Sequence, residues 1–262
     1  IENDNYNFKE IKFSTNDIDF FSDSLKIKKN KKEFFVEGNI ENKNSKLNDQ
    51  LLNLIRLNFD NINFENIKFS SKNNFSFNVN NKINFKNLVI TSEIIVDETN
   101  YKKPNLLNDY FSEVKDIIYL KDHKIKVTYK KDNLSLKGSG KIQLEKDFDE
   151  INYYISKKEN QLNFDTQIDL DKTLLSINVL NFKKNKKNTT QIKLKGNYNK
   201  NKELNLKEIS IYEKNNKIIL QNLLLDENNL IIKFDKMDLN YLDKEDKKNK
   251  FLILRKKKNE YF

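Results

Sequence analysis

Residues 161–170 read QLNFDTQIDL, and the period of this stretch decides the fold class. Leu162, Phe164, Thr166, Ile168 and Leu170 fall on one side; Asn163, Asp165, Gln167 and Asp169 fall on the other. Successive side chains of an extended chain point to opposite faces, so this alternation predicts a half-buried strand. The same period recurs at Phe34/Val36, Phe75/Phe77/Val79, Ile83/Phe85, Ile125/Val127/Tyr129, Leu134/Leu136, Ile142/Leu144, Ile177/Val179, Ile192/Leu194 and Ile232/Phe234. Short polar clusters such as Lys130–Asn133, Lys157–Asn160, Lys183–Asn188 and Lys214–Asn216 separate these runs. They come about every 11–15 residues, the spacing of a meander of hairpins. Links this short join antiparallel neighbours. The reading is a mainly β chain, built as a long, curved antiparallel meander sheet with one continuous apolar face, a trough-like groove.

Glycine is scarce, so Asn and Asp are expected to make the turns, where they tolerate left-handed backbone. Gly38, Gly138, Gly140 and Gly196 instead lie inside strand patterns (FFVEGNI, LSLKGSGKI, IKLKGNY). Such glycines mark a bulge, a bend or a close approach of another group to the backbone. One segment departs from period two. Leu106, Leu107, Tyr110, Phe111, Val114, Ile117 and Ile118 recur at spacings of three and four after Pro104, which predicts a helix over 104–117. Leu47, Leu51, Leu54 and Ile55 predict a shorter helix near 46–55. No Pro/Ser/Gly linker breaks the chain, so residues 1–262 read as a single β-groove segment.

Composition excludes several functions. The 262 residues contain no Cys, which removes disulfides and thiolate metal sites. The net charge of +10 comes from lysines spread among 39 acidic residues, and Arg56 and Arg255 are the only arginines. Phosphate and base recognition favours the guanidinium fork, so the basic balance reads as a solvated surface rather than a nucleic-acid site. No apolar run reaches the ~18–20 residues that a membrane helix needs. Because the chain begins at Ile1, an anchor or signal is expected outside it.

Catalytic chemistry finds no foothold. His123 is the only histidine, which rules out a multi-histidine metal site, and it is expected in an exposed turn before a strand. No GxSxG elbow and no glycine-rich phosphate loop is present. Asp165, Asp169 and Asp171 lie opposite an apolar strand face, where a solvated surface needs acids in any case. No catalytic residue, metal or cofactor is expected. What remains is the apolar face, which must be sealed in a core, packed on helices or used to hold a ligand. The alternatives are thus a groove for acyl chains and a closed structural or interaction β-domain. A membrane barrel is disfavoured by the helical interruption and by the lack of aromatic girdles.

Two stretches carry a family resemblance: KDHKIKVTYKKDNLSLKGSGKIQLEKDFDEINYYISKKENQLNFDTQIDL and IKLKGNYNKNKELNLKEISIYEKNNKIILQNLLLDENNLIIKFDKMDLNYLD. The chain resembles AsmA-like envelope proteins, in particular the YhdP-like branch of bridge-like lipid transfer proteins, over about its last 160 residues. The resemblance implies a periplasmic β-groove tethered to the inner membrane by a segment outside this chain. It also implies phospholipid acyl chains as ligand, the remaining groove segments as partners, and a role in outer-membrane biogenesis. On this reading the groove is lined by Ile125, Val127, Leu134, Leu136, Ile142, Leu144, Leu162, Phe164, Ile168, Leu170, Ile177, Val179, Ile192, Leu194, Ile232 and Phe234.

Overall fold

The computed structural model describes residues 4–15, 17–30, 32–47, 64–102, 115–199, 203–228 and 230–255. Almost every described residue outside the turns is extended, as the period-two runs require. In chain order the strands are β1 (Asn5–Thr15), β2 (Ile18–Asn30), β3 (Glu33–Lys46), β4 (Phe64–Asn80), β5 (Phe85–Lys102), β6 (Ile117–Lys130), β7 (Asn133–Gln143), β8 (Asp149–Lys158) and β9 (Gln161–Leu170). They continue with β10 (Ser176–Ile177), β11 (Phe182–Lys183), β12 (Thr190–Asn199), β13 (Glu203–Glu213), β14 (Asn216–Leu225), β15 (Ile231–Lys233), β16 (Lys236–Leu242) and β17 (Lys248–Leu254).

Among the described residues fifteen strands form one antiparallel meander in the order β1 to β9, β12, β13, β14, β16, β17, with β15 as a side pairing on β14, and this sheet does not close into a barrel. β10 and β11 pair with each other in a separate two-stranded sheet. The chain divides into two compact units, Ile1–Lys102 with Ile117–Lys141, and Lys103–Asp116 with Ile142–Phe262.

Left-handed turn residues include Lys, Glu and Ile as well as the expected Asp. Between β6 and β7 the two-residue link Lys131-Asp132 has φ of 49° and 60°, the left-handed pair of a type I′ hairpin whose twist suits the strands. Glu159 and Lys214 take the same conformation in the β8–β9 and β13–β14 turns.

Several expectations need correction. Ile83 belongs to the β4–β5 turn, with φ 57° and 72% exposure, because the Asn80 side chain collects the backbone N–H groups of Lys82 and Asn84 and closes the loop there. Of the helix expected over 104–117, residues 104–114 lie outside the described residues. Its end is not helical: Ile117 and Ile118 open β6 and pair with Lys102 and Tyr101 of β5, where Ile118 is fully buried. Of the helix expected near 46–55, Lys46 ends β3 and residues 48–55 lie outside the described residues.

His123 is not in an exposed turn. It sits inside β6 opposite Val96, only 3% exposed. The polar neighbours in KDHKIKV concealed a strand already under way, with His123 in phase with Ile125 and Val127.

Candidate functional site

Residues directly opposite each other in an antiparallel pair share a face, so the register assembles the apolar face row by row. In the second unit one row runs Ile151, Ile168, Ile192, Ile211, Ile218, Leu239, Phe251 across seven strands. The next row is Tyr153, Thr166, Leu194, Ile209, Leu220, Met237, Ile253, and beyond it lie Ile155, Phe164, Gly196, Leu206, Leu223. The last is Lys157, Leu162, Tyr198, Leu204, Leu225. The opposite face carries Asn152, Gln167, Lys193, Ser210 and, one step along, Tyr154, Asp165, Lys195, Glu208. Asp165 pairs there with Lys195 at 2.9 Å, and Asp169 accepts from Gln167 and Gln191. These acids serve the polar face.

Two strands in this set hide their phase in the sequence. Leu204 and Leu206 alternate on even positions of β13, then Ile209 and Ile211 on odd ones. A register shift at Lys195/Gly196 absorbs this slip, so that both pairs reach the same face. In β14 the slip falls at Asn222, which takes φ 53°. A bulge re-aims the strand without leaving the sheet, which is why simple alternation misses these residues.

Of the expected groove residues, Leu162, Phe164, Ile168, Ile192 and Leu194 lie on this face and are half-buried, and Leu170 ends it fully buried. Ile125 and Val127 in β6 and Leu134 and Leu136 in β7 are half-buried; Ile142 and Leu144 are buried. Ile177 and Val179 do not continue a strand. Ile177 is buried in β10, and Val179 is 89% exposed in a 3-10 turn, Asn178–Leu180, so it lines nothing. Ile232 is 51% exposed in the short β15, and Phe234 follows that strand rather than belonging to it. Ile151, Tyr153 and Ile155 were missed although INYYI alternates; Tyr154 between them blurred the pattern. Burial on this face pushes the Tyr153 phenol up to about 12.

One end of the second unit's face is covered. The segment 171–189, which includes β10 and β11, is bonded to Asp149, Glu213 and Tyr241 beside the Leu170–Thr190 pair. Asp149 accepts the backbone N–H groups of Asp171, Lys172 and Thr173, and Glu213 those of Asn185 and the Asn188 amide. Phe182 packs edge-on to Tyr241 at 5.8 Å, and the Tyr241 hydroxyl donates to the Leu180 carbonyl at 2.7 Å. Leu175, Ile177 and Phe182 of this hairpin are themselves buried. Lys183–Asn188 therefore does not turn between two long strands as expected, because Lys184 is itself buried with its ammonium on the Asp171 carbonyl.

The first unit's face is less uniform than expected. Val36, Phe77 and Ile27 form one apolar row and Leu25, Gly38, Phe75, Ile90, Tyr129 another. Between them and the Phe69, Val96, His123 row sit Asn42, Ser71, Asn73 and Ser92. Asn73 donates to Ser71 and to the Ile40 carbonyl, and Ser71 bonds Asn42. Small, mutually satisfied polar groups thus interrupt this face where sequence alternation implied continuity. A recess of about 340 Å³ in this unit is lined by Lys26, Glu37, Asn74, Ser76 and Thr91 and belongs to the polar side.

Three glycines admit a ring from the neighbouring strand. A Cβ on Gly38 would meet the Phe75 ring at 3.2 Å, one on Gly196 the Phe164 ring at 2.7 Å, and one on Gly140 the His123 ring at 2.4 Å. None of these glycines has positive φ, so close approach and not backbone conformation explains them. His123 lies flat over Gly140, and its Nε2–H donates to the Lys141 carbonyl at 3.1 Å. Burial holds its pKa below the ordinary imidazole value, against the opposing pull of that bond and of Asp122.

Among the described residues no group of three or more His, Cys, Asp or Glu side chains is placed to hold a metal ion. No family model matches this sequence, and neither the curated proteins nor the solved structures yield a significant match.

Proposed function

We propose that this chain is a non-enzymatic lipid-handling protein whose apolar sheet face holds phospholipid acyl chains. In this reading it works in the periplasm of a bacterial envelope, attached to the inner membrane through a segment outside this chain, and serves phospholipid movement toward the outer membrane. The observation that carries the reading is half-burial. Leu162, Phe164, Ile168, Ile192 and Leu194 sit at the middle of a wide sheet with neighbouring strands on both sides, yet each keeps part of its surface accessible. On the same rows Leu206, Ile211, Ile218, Leu223 and Leu239 are buried, so the accessible part of this face is its β8, β9 and β12 side. Each methylene moved from water onto such a face contributes ~0.8 kcal/mol, so rows of Ile and Leu hold a long chain without directional contacts.

The test is lipid retention by Ile168→Asp. Ile168 lies between Ile151 and Ile192, so its replacement puts a carboxylate in the middle of an apolar row. On an accessible face the carboxylate reaches water and the fold survives, while lipid co-purifying with the protein, measured by mass spectrometry, falls at least tenfold. Asn152→Asp puts the same charge on the polar face and leaves lipid content unchanged. Outright unfolding of Ile168→Asp, seen as loss of the β circular-dichroism signal, would establish a closed core and remove the lipid reading.

A further inference from the structure

The hairpin 171–189 gives the second unit's face two unlike ends. At one end Leu170 and Thr190 are fully buried, and the hairpin is held there by the buried carboxylates of Asp149 and Glu213. At the other end the final row is open: Tyr198 is exposed, and Lys157, on the same face as Leu162, is an exposed cation. We propose that a phospholipid lies on this face with its acyl chain along the strands, its anionic headgroup at Lys157 and Tyr198, and the end of its chain stopped by the hairpin.

The orientation follows from access to water. Leu170 and Thr190 at the hairpin end are fully buried, where a hydrated phosphate has no room, whereas the open end exposes Lys157, a cation that can meet an anionic headgroup in water. A tyrosine beside it has the same amphipathic form. The length follows from strand geometry. From the Leu162 row to the Ile168 row is six residues, about 20 Å at ~3.4 Å per residue. An extended hydrocarbon advances ~1.3 Å per carbon, so the open face accommodates about 16 carbons before it reaches the hairpin. This inference rests on the lipid reading above and adds direction and a limit on chain length.

Photo-crosslinking on the unaltered protein tests it without any risk of misfolding. The probe is phosphatidylglycerol in vesicles, carrying a diazirine at the last carbon of an acyl chain of about 16 carbons; a second probe carries it next to the headgroup. Peptide mass spectrometry after photolysis is expected to place terminal-carbon adducts on Ile168, Ile192 and the 170–182 segment, and headgroup-proximal adducts on Leu162 and Tyr198. The reverse pattern, or adducts of both probes spread evenly along β9, overturns the proposal while leaving lipid binding in place. Lys157→Glu, exposed and outside the fold's packing, should lower capture of the anionic probe several-fold but not that of a zwitterionic phosphatidylcholine analogue; equal loss for both also overturns it. A folded protein that captures neither probe at any vesicle concentration sinks the lipid reading itself.

Discussion

Gly140→Ala is the most informative single change, because its effect depends on one other side chain. The new methyl would lie 2.4 Å from Cδ2, 2.5 Å from Cγ and 2.8 Å from Nδ1 of His123. Ordinary contact begins at 3.4 Å, so the ring must retreat by 3.4 − 2.4, or about 1 Å. The ring has little room, being buried and tied to Lys141. Overpacking of this kind costs about 1–3 kcal/mol. Replacing Gly by Ala otherwise stabilises by about 0.4–1 kcal/mol through the unfolded chain. The net expectation is a loss of about 1–2 kcal/mol, or a fall in Tm of about 2–8 °C. In a His123→Ala background the clash is gone, and the same substitution should be neutral or stabilising by about 0.5 kcal/mol. A double-mutant cycle on four proteins, followed by urea and thermal unfolding, should then give a coupling of about 2 kcal/mol. A coupling below about 0.5 kcal/mol would refute the ring-over-glycine packing. Gly196 supplies the contrast. Its added Cβ would meet the Asn205 backbone carbonyl at 2.5 Å as well as the Phe164 ring, so removing Phe164 cannot clear the space. Gly196→Ala should stay destabilising in a Phe164→Ala background.

His123 also sets a pH dependence. Its folded pKa lies below the unfolded value of about 6.5, so the unfolded chain binds the proton more readily. Stability is fully present above about pH 6.5 and declines as pH falls from there through the lowered folded pKa; in His123→Gln this slope should flatten, as measured by urea midpoints across that window. Asp149→Ala removes the acceptor of three hairpin N–H groups and should cost about 2 kcal/mol locally, so hydrogen exchange over 171–184 should quicken by roughly thirtyfold before global unfolding changes. In a spectrophotometric alkaline titration Tyr153→Phe should remove a phenol that ionises at about 12, later than an exposed tyrosine at about 10.

Period two in QLNFDTQIDL and its relatives was enough to determine the class of fold and the antiparallel connections of most strands. Local sterics alternate side chains across any strand, whatever lies around it. The tight turns at Lys131-Asp132, Glu159 and Lys214 were legible, since they lie between two runs of known phase, whereas Ile83 and Lys183–Asn188 were misread. Register was not legible. Whether Ile168 meets Ile151 and Ile192 depends on hairpin length and on bulges, and a slip of one residue would send the whole row to the other face. The phase changes in β13 and β14 looked like lost alternation until the ladder with β12 showed both halves on one side. The burial of His123 depended on a glycine 17 positions along the chain, which only strand pairing brings beneath its ring. The hairpin 171–189 was least visible of all. Its two strands are two residues each, too short for any period, and what holds it are carboxylates of Asp149 and Glu213 from strands apart in sequence. Alternation is a local property of the chain and can be read from it. Closure of one end of a face, and exposure of the other, depends on contacts between distant residues and is decided only when the strands pair.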